Sequence, residues 1–226
     1  MTTPAQLRWV REPRQARSRE TLDRILDAAE ALVAEKGFED ATVAEIVRRG
    51  DSSVGAFYAR FRDKEGLLYA LYERYLEQAV ATADEALDPV RWEQTEVPEL
   101  LGLVVGFLVR IYREQAGLIR AFVLRNHTDP EFRARQDRLS HDVAEKLARV
   151  LLGQRAEISH PDPERAVAFG LSMVFSSVED NVLFGETRSR ALALADEDLA
   201  AELTRAYLAY LGVQAPLTPE TQGSSA

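Results

Sequence analysis

The chain has 226 residues, a net charge of -9, 12 glycines, 9 prolines and no cysteine. That length allows one ample core or a small domain joined to a larger one, and the lack of cysteine excludes disulfides and thiolate metal sites and suits a reducing cytosol. No apolar signal core opens the sequence, and the longest apolar stretch, residues 100–109, falls far short of the roughly 20 residues a membrane span needs, so it reads as a buried helix.

Helical periodicity runs through the long segments and strand alternation is nowhere sustained, which predicts an all-α fold. The acid is unevenly spread: five arginines (Arg8, Arg11, Arg14, Arg17, Arg19) against Glu12 give residues 1–19 a charge of +4. Residues 1–17 read as a basic arm, either a solubilising tail or a segment that touches a nucleic-acid backbone or minor groove. From Ser18 to Lys36 the set Leu22, Ile25, Leu26, Ala29, Leu32 and Val33 forms one helical stripe, which Gly37 ends. Residues 18–62 are then the first folded domain, built on this scaffold helix.

Within it lies the most specific motif of the chain. Thr42, with Glu45 three residues on, spells a capping box in front of the apolar residues Val43 and Ile46. Gly50-Asp51 suits a tight turn, and Ser53 caps a second short helix. There Val54, Phe57, Tyr58 and Phe61 recur at the spacing of one apolar face, leaving Gly55, Ala56, Ala59 and Arg60 opposite. A surface of glycine and alanine ending in arginine is suited to close approach of a nucleic acid, and helix, turn, short helix is the pattern of a DNA-reading helix-turn-helix.

This segment resembles the DNA-binding domain of the TetR family of bacterial transcriptional regulators, with Ser53, Gly55, Phe57, Tyr58, Phe61, Lys64, Glu65, Leu67 and Leu68 in matching order. It departs from the family at the turn, where Gly50-Asp51-Ser52 replaces Ala-Gly-Val and puts Asp51 where glycine is usual. Ala59 and Arg60 also replace the customary residues, so base preference does not carry over. Chemistry assigns Tyr58, Lys64, Thr42 and the amides at the Ser53 helix start to phosphates, Val54 and Ala56 to thymine methyls, and Arg60 to a guanine edge, with Gly55 admitting the backbone. Each has a plainer alternative: Tyr58 as packing, Val54 as core, Arg60 as a solvated charge.

Asp63 caps a helix that reaches about Leu87, where Asp88-Pro89 breaks it. Residues 63–213 read as a larger helical effector-binding and dimerisation domain. Pro98 opens a helix apolar nearly all round, fit for the centre of a bundle. Its Gly102 and Gly106 signal either close helix packing or room for a ligand. Gly117 marks a break before Leu118 to His127, Asp129-Pro130 opens a long amphipathic helix, and residues 153–163 form a loop. Phe107, Tyr112, Phe122 and Phe175 are candidate apolar lining of an effector pocket, with Arg110, Asn126, His127, Glu179 and Asn181 as polar anchors or structural residues. The helices 163–184 and 196–211 read as an interaction hairpin whose Phe169, Met173, Leu203, Tyr207 and Tyr210 would meet a second copy. TetR-family members dimerise in this way, and two-fold operators favour two-fold proteins. Residues 214–226 read as a disordered tail.

The resemblance implies a cytoplasmic homodimeric regulator, most often a repressor, that binds a palindromic DNA operator and releases it when a small, largely apolar effector binds. No cofactor or metal is expected, and no enzyme. The competing readings are a helical protein-interaction module without DNA binding and a helical metalloenzyme. For the latter the sequence offers only Glu157 and His160 at the i, i+3 spacing, once, in a loop.

Overall fold

The computed structural model describes residues 16–183 and 194–213, and the described residues form helices joined by turns, with no strand among them. The basic residues Arg8, Arg11 and Arg14, Phe184 at the expected end of the hairpin's first helix, and the tail 214–226 lie outside the described residues. In chain order the helices are α1 (Ala16–Lys36), α2 (Val43–Arg49), α3 (Val54–Tyr58), α4 (Lys64–Ala86), α5 (Val97–Glu114), α6 (Ala116–Thr128), α7 (Pro130–Gly153), α8 (Pro163–Val178) and α9 (Asp196–Leu211). Short 3-10 turns occupy Pro89–Trp92 and Arg155–Glu157.

Most boundaries have a local chemical cause. Gly37, at φ +83, lets its N–H bond Val33 O and closes α1. Asp63 Oδ1 accepts Gly66 N–H at 2.8 Å to start α4, and Asp129 and Asp162 do the same for α7 and α8. Three acids stand in the first turn of α9, and Gly212 at φ +68 ends it.

The helices group into two compact units, Met1–Ala86 with Ile111–Val143, and Leu87–Arg110 with Ala144–Ala226. In the first unit one core joins the stripe of α1 to Ile46, Val47, Phe57, Phe61, Leu67, Leu71 and Tyr72, and continues to Leu118, Phe122 and Phe132. Tyr72 and Phe132 stack at 4.2 Å, with Phe122 tilted against both. Polar contacts bind α4 on two sides: Arg74 pairs with Asp27 and Glu30 of α1, while Glu65 meets Arg125, Glu73 meets Arg135, and the Tyr69 hydroxyl donates to Asp129. Burial, followed by the bond to Asp129, pushes the Tyr69 phenol up to about 12.

The expected break at Gly117 is one to two residues late. The chain turns at Gln115, and Gly117 sits in the first turn of α6, where an added Cβ would lie 2.5 Å from Val33 O of α1. Glycine is there so that two backbones can meet.

In the second unit α8 and α9 form a hairpin in which Gly170 lies against the Tyr207 ring. The Tyr207 hydroxyl donates to Val167 O at 2.5 Å, and burial raises its pKa. Sequence reading continued α8 as one helix, but its last turn, Glu179–Leu183, widens into a π-helical turn. The run 163–183 has the length and composition of a membrane span, 44% of it is buried, and α8 packs on α9.

α5 corrects the reading of an all-round buried helix. It buries Val97, Leu100, Leu101, Val105 and Val109, but Leu103 is 55% exposed and Arg110 is exposed. Among the described residues nothing comes within 4 Å of a Cβ built at Gly102 or Gly106, so close helix packing does not explain them. Buried apolar residues at both ends of the helix supply the stability that the two glycines remove.

Candidate nucleic-acid interface

The motif from Thr42 to Lys64 is assembled by local hydrogen bonds. Thr42 Oγ1 accepts Glu45 N–H at 3.3 Å, and Glu45 Oε2 accepts Thr42 N–H at 3.1 Å and the Lys36 ammonium at 2.7 Å. This capping box also fastens α2 to the last turn of α1. The bonds from Lys36 and Thr42 hold the Glu45 carboxyl down at about 2, against an ordinary 4.5. Because the folded value is the lower one, the stabilisation is complete above about pH 4.5 and is lost as the pH falls toward 2. Glu45→Gln keeps the cap geometry and removes the charge. Denaturant melts of the two proteins are expected to differ at pH 6 and to converge by about pH 2; a constant difference would leave the carboxylate without this role.

The turn divides its labour differently from the sequence expectation. Gly50 has an ordinary φ of -83, and its need for glycine is spatial, since a Cβ there would come within 2.9 Å of Arg24 O on α1. Asp51 takes the left-handed conformation at φ 45, the only non-glycine to do so among the described residues. Ser52 N–H then bonds Val47 O at 2.8 Å. Asp51→Gly removes a strain of about 1 kcal/mol, and a rise of a few degrees in melting temperature is expected by calorimetry.

Ser53 Oγ accepts Ala56 N–H at 3.1 Å and starts α3, which has five residues. That bond occupies an amide the sequence reading assigned to phosphate. Phe57 and Phe61 are fully buried, with their rings 5.0 Å apart, whereas Val54 is 49% and Tyr58 54% exposed. The apolar stripe is therefore two stripes: Phe57 and Phe61 anchor the helix, while Val54 and Tyr58, four apart, stand outward beside the bare Gly55 and Ala59. The core reading of Val54 is excluded by its exposure. Ala56 and Arg60 are half-buried.

Lys64 lies over the Phe38 ring, 4.5 Å from its centroid, and donates to Glu39 O at 2.8 Å, so one of its three N–H groups is committed to the fold. Thr42 both donates to and accepts from Glu45. Sequence reasoning passed over Arg48, at the end of α2, and Arg62, between α3 and α4, which are exposed. Their position beside the motif was the available signal.

The nine candidate effector residues divide between the two units. Tyr112, Phe122, Asn126 and His127 belong to the first unit, and Phe107, Arg110, Phe175, Glu179 and Asn181 to the second. Phe122, 2% exposed, is part of the aromatic stack, and His127 Nδ1 lies 2.8 Å from Val123 O. Asn126 Oδ1 is buried without a hydrogen-bond partner. The Arg110 guanidinium stands 5.5 Å from the Phe107 ring, and Asn181 Nδ2 donates to Ser177 O. Glu157 accepts Val97 N–H at the start of α5, and His160 Nδ1 meets the Asp162 backbone, so both are engaged in loop structure. On the hairpin, Leu203 and Tyr207 are buried inside the subunit, and only Phe169, 56% exposed, and the half-buried Met173 and Tyr210 remain accessible to a second copy.

Residues 25–71, from the core of α1 to the first third of α4, match the model of bacterial regulatory proteins, tetR family. Over these residues the chain is similar to the TetR family. It is 36% identical over 93 residues to the A-factor receptor protein of Streptomyces griseus, covering 41% of this chain and 29% of that one. It is 38% identical over 85 residues to the HTH-type transcriptional regulator BetI of Cronobacter sakazakii, covering 36% of this chain and 40% of that one. The matches thus span less than half of these relatives. The fold extends further: the transcriptional regulator FadR of Bacillus subtilis, solved in complex with stearoyl-CoA, superposes with a TM-score of 0.62 at 19% identity over 84% of this chain and 98% of that one.

Proposed function

We propose that this protein is a TetR-family, cytoplasmic, ligand-responsive transcriptional repressor that binds a palindromic operator as a homodimer. The observation that carries the reading is α3: a helix pinned from behind by Phe57 and Phe61, capped by Ser53, with an outward face that bears no charge and offers Val54, Gly55, Tyr58 and Ala59 to a groove. Tyr58, Lys64 and Thr42 supply phosphate contacts, together with the exposed Arg48 and Arg62, and Arg60 reads a guanine edge. Phe169, Met173 and Tyr210 meet a second copy, and Leu203 and Tyr207 support that surface from within. Effector binding favours a dimer whose two α3 helices no longer match the half-sites. The open flank of α5 at Gly102 and Gly106 supports room for a largely apolar effector, and the stearoyl-CoA bound by the structurally similar FadR makes acyl thioesters the first compounds to try.

Selection from a randomised duplex pool by the full chain tests the reading. A two-fold symmetric sequence is expected, bound with a steep salt dependence, and Arg60→Ala should relax specificity at one position per half-site at a cost of about 1–3 kcal/mol. Recovery of no preferred sequence would remove the proposal. Addition of stearoyl-CoA to the selected complex then tests release.

A further inference from the structure

On the outward face of α3 the only exposed side chain with a polar atom, apart from the capping Ser53, is Tyr58. None of residues 53–59 is charged, and Ser53 Oγ is already the acceptor for Ala56 N–H. Val54 is the first large side chain on the helix and is half exposed, next to Gly55, where the nearest atom to an added Cβ is Ser53 Oγ at 3.9 Å. About half of its isopropyl group is therefore left open by the fold. An isopropyl group placed against a major-groove edge gains by covering an apolar group, and the only one there is the methyl at C5 of a pyrimidine. Such a contact has no donor or acceptor with which to tell O4 of thymine from the N4 amino group of 5-methylcytosine.

We infer that Val54 makes α3 a sensor of the pyrimidine C5 methyl group, accepting thymine and 5-methylcytosine alike at one position of each half-site and rejecting uracil and unmethylated cytosine. The inference rests on the DNA-binding reading above and goes beyond it: cytosine methylation would create binding sites for this protein where the unmodified sequence lacks them.

Coverage of one methyl is worth about fourfold in affinity, and loss of both methyls from a symmetric site roughly tenfold or more. The test uses the full chain and the duplex it selects from a randomised pool. Replacing thymines one at a time by deoxyuridine removes only the methyl. One position per half-site is expected to lose about fourfold. A 5-methylcytosine·guanine pair at that position should bind within about twofold of thymine·adenine, with plain cytosine·guanine about fourfold weaker or worse. Val54→Ser, at an exposed position that leaves the core untouched, should bind the thymine and uracil duplexes equally. Equal affinity of the native chain for all uracil-substituted duplexes overturns the inference, as does 5-methylcytosine binding no better than cytosine; failure to select any duplex overturns instead the DNA-binding reading.

Discussion

Gly170→Ala is expected to cost about 3 kcal/mol, for the addition of a single methyl group. A Cβ at this position would lie 1.9 Å from Tyr207 Cε2 and 2.3 Å from Cδ2. The ring cannot swing aside cheaply, because it is 1% exposed and its hydroxyl is tied to Val167 O one turn earlier on the same helix. Either α8 and α9 separate or Tyr207 leaves the core. For a chain of this size the loss amounts to roughly 6–12 °C in melting temperature. If the chain forms the proposed dimer, sedimentation should show it weakened as well, since Phe169 and the half-buried Tyr210, whose rings lie 5.3 Å apart, are positioned by the same hairpin. Tyr207→Leu alone is destabilising, but combined with Gly170→Ala it should recover part of the loss, and that coupling identifies the contact. A melting temperature within a degree of the native protein for Gly170→Ala would contradict the packing described.

Gly117→Ala is expected to destabilise as well, by about 1–2 kcal/mol, and the sign is the informative part. Alanine in a helix is worth about 1 kcal/mol over glycine, so intrinsic propensity alone predicts a gain. Against it stands a backbone clash: the new Cβ would lie 2.5 Å from Val33 O and 3.4 Å from Ala34 Cα, and main chain on both sides cannot rotate away. α6 must move off α1. Because α1 carries the core on which α3 is seated, affinity for the proposed operator should fall together with stability. Gly102→Ala and Gly106→Ala on α5 provide the contrast, for with open space beside each the propensity gain of about 1 kcal/mol should appear undiminished. Thermal melts of the three variants check all of this at once; a stabilised Gly117→Ala would show that α1 and α6 tolerate separation.

The same contrast explains what was readable along the chain. Thr42 with Glu45, Ser53, Asp63 and Gly37 act on residues three or four positions away, so their roles as caps and stops were legible from spacing, and each makes the bond its spacing implied. Asp51 was legible only through the resemblance, which puts it where glycine is usual, and its left-handed φ of 45 came from the structure. Periodicity resolved less in α3. Five residues make little more than one turn, and within it Val54 and Tyr58 project about 60° away from Phe57 and Phe61, far enough to separate solvent from core. Amphipathic patterning also could not tell the inward side of a hairpin from the side offered to a partner, which is how Leu203 and Tyr207 came to be grouped with Phe169.

By itself, then, the amino-acid sequence determined the helical class, most helix boundaries, the capped helix-turn-helix and the acidic imbalance outside it, because these depend on interactions within a turn or two of chain. Only the tertiary structure decided what each glycine is for. Gly50, Gly117 and Gly170 are places where another element comes too close for a Cβ, while Gly102 and Gly106 border empty space. It also decided which of two adjacent apolar stripes faces out. Each of these turns on distances between atoms far apart in sequence, which no local pattern encodes.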